Sequence, residues 1–129
     1  MSFGFSVGDF ITISTLAMNI YSSCKNSSRG FKSITSEVNS LHIVLKKTSE
    51  YLSEHSLDAD AAECLESLKN ECYSVLKDIQ DLLQKYRSLG MKGRIWDKMK
   101  WGSEDVSGIR HRLTVNVTLL TAFNTTLTK

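Results

Sequence analysis

The sequence predicts an all-α fold, an antiparallel four-helix bundle. Along four long stretches, apolar residues recur at alternating intervals of three and four, the period of one helix face and not the alternation of a strand. The 129 residues contain no proline, the strongest interrupter of a helix. The segments between the stretches are short, and short connections favour successive helices that run side by side in opposite directions.

The first predicted helix covers about residues 6–25. Ser6 precedes it, and Asp9 three residues later makes a weak capping box. Asp9 is also the only charged side chain among the first 24 residues, although the chain holds 16 basic and 14 acidic residues. The predicted core stripe of this helix consists of Phe10, Ile13, Ala17, Ile20 and Cys24.

The second and third predicted helices cover about residues 31–55 and 58–89. Acids lie mostly near the start of the third helix and bases at its end, as the helix dipole favours. Gly90 is the predicted stop. The stripe of the second helix is Phe31, Ile34, Val38, Leu41, Leu45, Thr48 and Leu52. That of the third is Ala61, Leu65, Leu68, Cys72, Val75, Ile79, Leu82, Tyr86 and Leu89.

A short, basic helical turn at about residues 94–101 is predicted before the last helix, which covers about residues 103–128. Ser103 is its predicted cap. Asn116 lies within the stripe, where a lone polar residue can fix register. We expect residues 1–129 to form one domain, and the stripe that runs to the last residues suggests the N-terminal part of a longer protein. The stripe is Val106, Ile109, Leu113, Leu120, Phe123 and Leu127.

The residues that carry enzyme chemistry do not form any familiar pattern. Three cysteines are too few and odd in number for a disulfide framework, which favours a reduced, intracellular compartment. The three histidines have no cysteine at ligand spacing, and no glycine-rich phosphate loop is present. We therefore expect no enzyme activity, no cofactor, no metal and no small-molecule substrate.

The opening segment has two interpretations. It is either a core helix at the centre of the bundle, covered by neighbours on several sides, or a helix that is core in one state and inserted in a membrane in another. A charged helix would resist insertion by about 2.5–3.5 kcal/mol per Asp, Lys or Arg at the bilayer centre, and here only Asp9 opposes it.

The stretch from Lys92 to Trp101 combines four bases, one acid and two tryptophans. It is either a solvated loop whose rings cover the end of the bundle, or a surface that meets anionic lipid. Nucleic acid is a weaker alternative, because the stretch lacks a docking motif.

Three parts of the chain resemble the N-terminal domain of fungal STAND proteins, the NOD-like receptors of filamentous fungi. They are MSFGFSVGDF at residues 1–10, WDKMKW at residues 96–101 and RHRLTVN at residues 110–116. The resemblance extends over essentially the whole chain and implies a HeLo-like bundle placed before a nucleotide-binding oligomerisation domain and a repeat sensor. In such relatives, clustering of the sensor gathers the bundles, which then disturb membranes and cause programmed cell death in innate immunity or heterokaryon incompatibility.

The resemblance leads to one hypothesis and two alternatives. In the hypothesis, a cytoplasmic bundle oligomerises and moves to the plasma membrane through its first helix. The alternatives are a homotypic module that binds its own kind or other helical bundles without lipid, and a regulatory domain that keeps a receptor closed. Asp9 is the possible restraint on insertion. The candidates for insertion are Phe3, Phe5, Phe10, Ile11, Ile13, Leu16 and Ile20. The candidates for contact with lipid or a partner are Lys92, Arg94, Trp96, Lys98, Lys100 and Trp101.

Overall fold

A computed structural model describes residues 7–26, 34–88 and 106–127 of the chain. These residues form four helices: α1 (Val7–Lys25), α2 (Thr35–Glu54), α3 (Ala59–Ser88) and α4 (Val106–Leu127). Within them there is no strand. The predictions of an all-helical fold and of a helical bundle are therefore confirmed.

The helix ends differ from the predicted ones by small amounts that local geometry explains. Ile34 forms a turn with φ −107° and ψ 2°, so α2 begins at Thr35. His55 is extended, with φ −138° and ψ 150°, and this ends α2 at Glu54. Asp58 lies just before α3 and acts as its cap, because its Oδ1 accepts a hydrogen bond of 2.8 Å from the backbone N–H of Ala61. The predicted short turn at about residues 94–101 lies outside the described residues.

The helices are arranged as a ring in the order α1, α2, α4, α3. Each helix packs closely against its two neighbours in that ring, while α2 faces α3, and α1 faces α4, across the diagonals. The short link of residues 55–58 therefore connects two helices that are consecutive in sequence but diagonal in space. As a result, α1 occupies a corner of the bundle and not its centre, and one of its sides is open.

One apolar core fills the space between the helices, and its members come from all four. The predicted stripes of α1, α2 and α4 supply most of its residues. Burial of each large aliphatic or aromatic side chain in this core stabilises the fold by about 1.5–3 kcal/mol. In α3 the buried face is shifted slightly: Ala62 is buried where Ala61 is half-buried, and Leu76 and Leu83 join the core. The largest fully buried side chains are Phe10, Ile34, Leu41, Leu45, Leu65, Leu76, Ile79, Ile109, Leu113 and Leu120.

Ion pairs join α4 to both of its neighbours in the ring, and a hydrogen bond joins it to α3. Arg110 Nη2 lies 3.0 Å from Glu37 Oε1 on α2, and Arg112 Nη1 lies 2.9 Å from Asp78 Oδ2 on α3. Asn116, which the sequence places in the core stripe, is buried. Its Nδ2 donates to a backbone carbonyl of α3 over 3.4 Å.

Candidate functional site

The inner face of α1 is part of the core. Phe10, Ile13 and Ile20, three of the residues predicted to insert into a membrane, are buried there, and Leu16 is half-buried against the same cluster. In this state of the protein they contact other helices. Only Ile11 of the described insertion candidates is exposed, at 52%.

The open side of α1 has an unusual surface for a helix in water, because it carries no charge. We call Ile11, Thr15, Met18 and Ser22 the α1 outer face; all four are exposed. Met18 is 40% exposed and lies seven residues after Ile11, so the two side chains share one side of the helix. Ile11 and Met18 both lie on the side of α1 opposite the core.

Two exposed threonine hydroxyls of α1 donate hydrogen bonds within the helix itself. Thr12 Oγ1 donates to the carbonyl oxygen of Gly8 over 2.9 Å, and Thr15 Oγ1 donates to that of Ile11 over 2.9 Å. A hydroxyl that already has a hydrogen-bond partner costs less to remove from water than a free one. Removing these threonines of α1 from water therefore costs less free energy than it would for threonines with free hydroxyls.

A polar contact joins α1 to α2 at the rim of the core. His42 Nδ1 lies 3.0 Å from the carbonyl oxygen of Ser14 and 3.2 Å from its Oγ. Because a carbonyl oxygen only accepts, the first contact requires a hydrogen on Nδ1. Ser14 is buried, so the contact holds α1 against α2 at a place that water does not reach freely.

Asp9, the predicted restraint on insertion, lies half-buried in the first turn of α1. A carboxylate in that position is favoured by the helix dipole, which places partial positive charge at the N-terminus. Moving α1 into lipid would remove this carboxylate from water, so the geometry is compatible with the predicted restraint.

Open clefts lie on the surface of the described helices. One of about 260 Å³ lies between α1 and α3 and is lined by Asn19, Ile20, Ser23, Gln80, Leu83 and Gln84, none of which titrates. Among the described residues, no group of histidine, cysteine and carboxylate side chains could hold a metal ion. Burial, with a smaller effect from neighbouring Glu71, raises the pKa of the Cys72 thiol from 9.0 to about 12, so Cys72 is a poor nucleophile.

The other predicted site residues lie outside the described part of the chain. They are Phe3, Phe5, Lys92, Arg94, Trp96, Lys98, Lys100 and Trp101. Among the helices that the structure does describe, each is too short or too polar to pass through a bilayer. Met18 is absent from the predicted set of insertion candidates; its spacing from Ile11 places both on one side of the helix, but whether that side is exposed depends on where the neighbouring helices lie.

Comparison with family profiles, with characterised proteins and with solved structures found no match to this chain.

Proposed function

We propose that this chain is the N-terminal effector domain of a fungal NOD-like receptor, and that it causes regulated cell death by oligomerising and inserting α1 into a membrane. The observation that carries the proposal is that α1 lacks charge on both of its faces between its first and last turns. No charged side chain lies between Phe10 and Cys24, whether toward the core or toward solvent.

The comparison between helices explains why α1 is the element that would move. A helix that leaves the core exposes its apolar side chains to water, which costs about 1.5–3 kcal/mol for each large one. Transfer of the helix into lipid recovers most of this free energy, because acyl chains are as apolar as the core. Charges are the obstacle to such a transfer. α3 carries ten of them, six acidic and four basic, while α1 carries only Asp9 and the terminal Lys25.

The finer architecture that we propose is an antiparallel, HeLo-like bundle. Contacts between helices support the antiparallel part, in which direction alternates along the chain, so that α3 and α4 run in opposite directions while α2 and α4 run in the same one. Near the start of α2 Glu37 pairs with Arg110 near the start of α4, and near their ends Tyr51 donates to the carbonyl oxygen of Leu127, so these two helices run in the same direction. Arg112 pairs with Asp78 in the second half of α3, as expected if α3 runs opposite to α4.

The basic stretch from Lys92 to Trp101 would bring the bundle to the inner leaflet of the membrane. Its four bases attract anionic lipid by about 1 kcal/mol each, and tryptophan favours the interface between lipid and water. We propose that Lys92, Arg94, Lys98 and Lys100 make the first contact and that α1 follows, which moves a cytoplasmic protein to the plasma membrane.

Leakage of a dye from vesicles of phosphatidylcholine and phosphatidylserine tests the proposal. The test variant is Ile11→Glu with Met18→Glu, because both side chains are exposed and the bundle should keep its fold. Ile13 is unsuitable, since a carboxylate at that buried position would unfold the core. We expect leakage with the unmodified chain and its loss in the double variant.

A matched control carries the same number of new charges elsewhere. Ile43 on α2 and Tyr73 on α3 are exposed at 45% and 46%, and their replacement by Glu should leave leakage unchanged. Equal leakage from the test variant and the control would refute the role of α1. If the unmodified chain neither binds nor permeabilises vesicles, the homotypic module without membrane activity becomes the better assignment.

A further inference from the structure

Helix α4 has two lines of residues that recur at intervals of three and four, the spacing with which one helix packs against another. One line faces the inside of the bundle and the other faces outward. The inner one belongs to the core. The outer one consists of Val115, Leu119, Ala122 and Thr126, which follow one another at intervals of four, three and four residues, and all four are exposed. Val115 and Leu119 are 37% and 48% exposed. We call this set the α4 outer face.

The α1 outer face has the same spacing and the same chemistry. Ile11, Thr15, Met18 and Ser22 also follow at intervals of four, three and four. Each face spans twelve residues, or about 16 Å of helix between the first and the last Cα. Both combine aliphatic side chains with small or hydroxyl-bearing ones, which is the mixture that allows two helices to approach closely.

Charge distinguishes these two faces from the rest of the bundle surface. Neither Phe10–Cys24 nor Leu113–Leu127 contains a charged residue. α3, by contrast, carries six acids and four bases, so two copies that met through this helix would bring net negative surfaces together. Contact between the uncharged faces would leave no charge buried without a partner.

The threonines of both faces can be covered without losing a hydrogen bond. Thr126 Oγ1 donates to the carbonyl oxygen of Ala122 over 3.0 Å, as Thr15 Oγ1 does to that of Ile11 over 2.9 Å. At these two threonines, a partner helix would therefore meet methyl groups and hydroxyls that already have a hydrogen-bond partner.

The position of the two faces decides how copies would meet. Since α1 and α4 lie on a diagonal of the ring, their open sides point away from each other. A flat bilayer cannot touch both while the bundle is closed, whereas a neighbouring copy can cover each. We propose that the α1 outer face of one copy packs against the α4 outer face of a second copy. The contact is heterologous, so it repeats from copy to copy.

The expected strength of this contact follows from its size. Stable complexes bury about 800 Å² per partner, and four side chains on each of two short helix faces bury less than that. The contact is therefore weak for free copies and becomes effective when many copies are held together. This inference concerns the closed bundle without lipid, so it stands apart from the membrane activity proposed above.

Sedimentation equilibrium of the 129-residue chain, without lipid and at concentrations up to the millimolar range, tests the proposal. We expect the unmodified chain to form dimers and longer species. Ile11→Glu and Leu119→Glu should each weaken self-association by more than about tenfold, because a carboxylate would be buried without a partner. Ile43→Glu on α2 is the matched control and should associate normally.

Mixing the two variants separates a heterologous contact from a symmetric one. The Ile11→Glu chain keeps an intact α4 outer face and the Leu119→Glu chain an intact α1 outer face, so the mixture should regain dimers but not longer species. If Ile11→Glu alone had no effect, the α4 outer face would pair with itself and the proposal would be wrong. Loss of vesicle binding in Leu119→Glu, with unchanged self-association, would assign this face to lipid and also overturn it.

Discussion

Replacing Phe10 by alanine should loosen α1 while the other helices stay folded. The Phe10 ring is fully buried in the core that all four helices share. Removing such a ring costs about 3–5 kcal/mol, partly through lost transfer free energy and partly through the cavity that remains. Since 1.4 kcal/mol corresponds to a factor of ten, the equilibrium for opening α1 should shift by about two to three and a half orders of magnitude.

Hydrogen exchange of backbone amides measures this shift separately in each helix. Amides of α1 should lose protection by the full factor, while amides around Leu76 in α3 should lose much less, because α3 retains its contacts with α4. The matched control is Ile11→Ala, at the next residue of the same helix but 52% exposed, which should change protection little.

The outcome that would refute this reasoning is an equal loss of protection in α1 and α3. The bundle would then open only as a whole, and a mechanism that releases α1 alone would have no basis. If the prediction holds, the Phe10→Ala chain should also cause vesicle leakage at a lower protein concentration than the unmodified chain.

Four further outcomes follow from individual contacts and from the burial of single side chains. Thr48→Val should lower the free energy of unfolding by about 1–3 kcal/mol in urea titrations, because Thr48 Oγ1 is buried within 3.0 Å of Asn124 Oδ1 on α4. Arg110→Ala should cost only about 0–1 kcal/mol, since its ion pair with α2 is partly exposed, and raising the salt concentration should reduce the difference. A maleimide at pH 8 should modify exposed Cys64 quickly and spare buried Cys72. Because the unfolded Cys72 thiol ionises first, stability should fall as pH rises from 9 toward 12, and Cys72→Ala should lack that part of the loss.

The core-facing residues could be read from the sequence because helical periodicity reports burial directly. Phe10, Ile13, Ala17, Ile20 and Cys24 were predicted as one stripe, and all five are buried. The interval pattern is reliable here because a buried residue must recur on one side of the helix, whatever the helix packs against.

Register on α3 was harder to predict, because the buried face of this helix is wider than the one line of residues that a heptad pattern selects. Ala62, Leu76 and Leu83 therefore lie in the core although they are outside the predicted line. Both lines satisfy the period, so the sequence alone does not distinguish them.

The candidate surfaces could be predicted only in part. Lack of charge in α1 was evident from the sequence, but which apolar residues face solvent depends on where the neighbouring helices lie. Ile11 and Met18 could be assigned to the open side only once α1 was found at a corner. The α4 outer face was missed for the same reason, since its residues follow a second line of the same period.

The ring order has a consequence for what remains when α1 leaves. The other three helices form a row with α4 in the middle, which keeps its contacts with α2 on one side and with α3 on the other. If α1 were released, a trough would open whose walls are core residues of α2 and α3. That trough would fit the first helix of another copy equally well, so crowded copies would be able to exchange first helices in a domain swap.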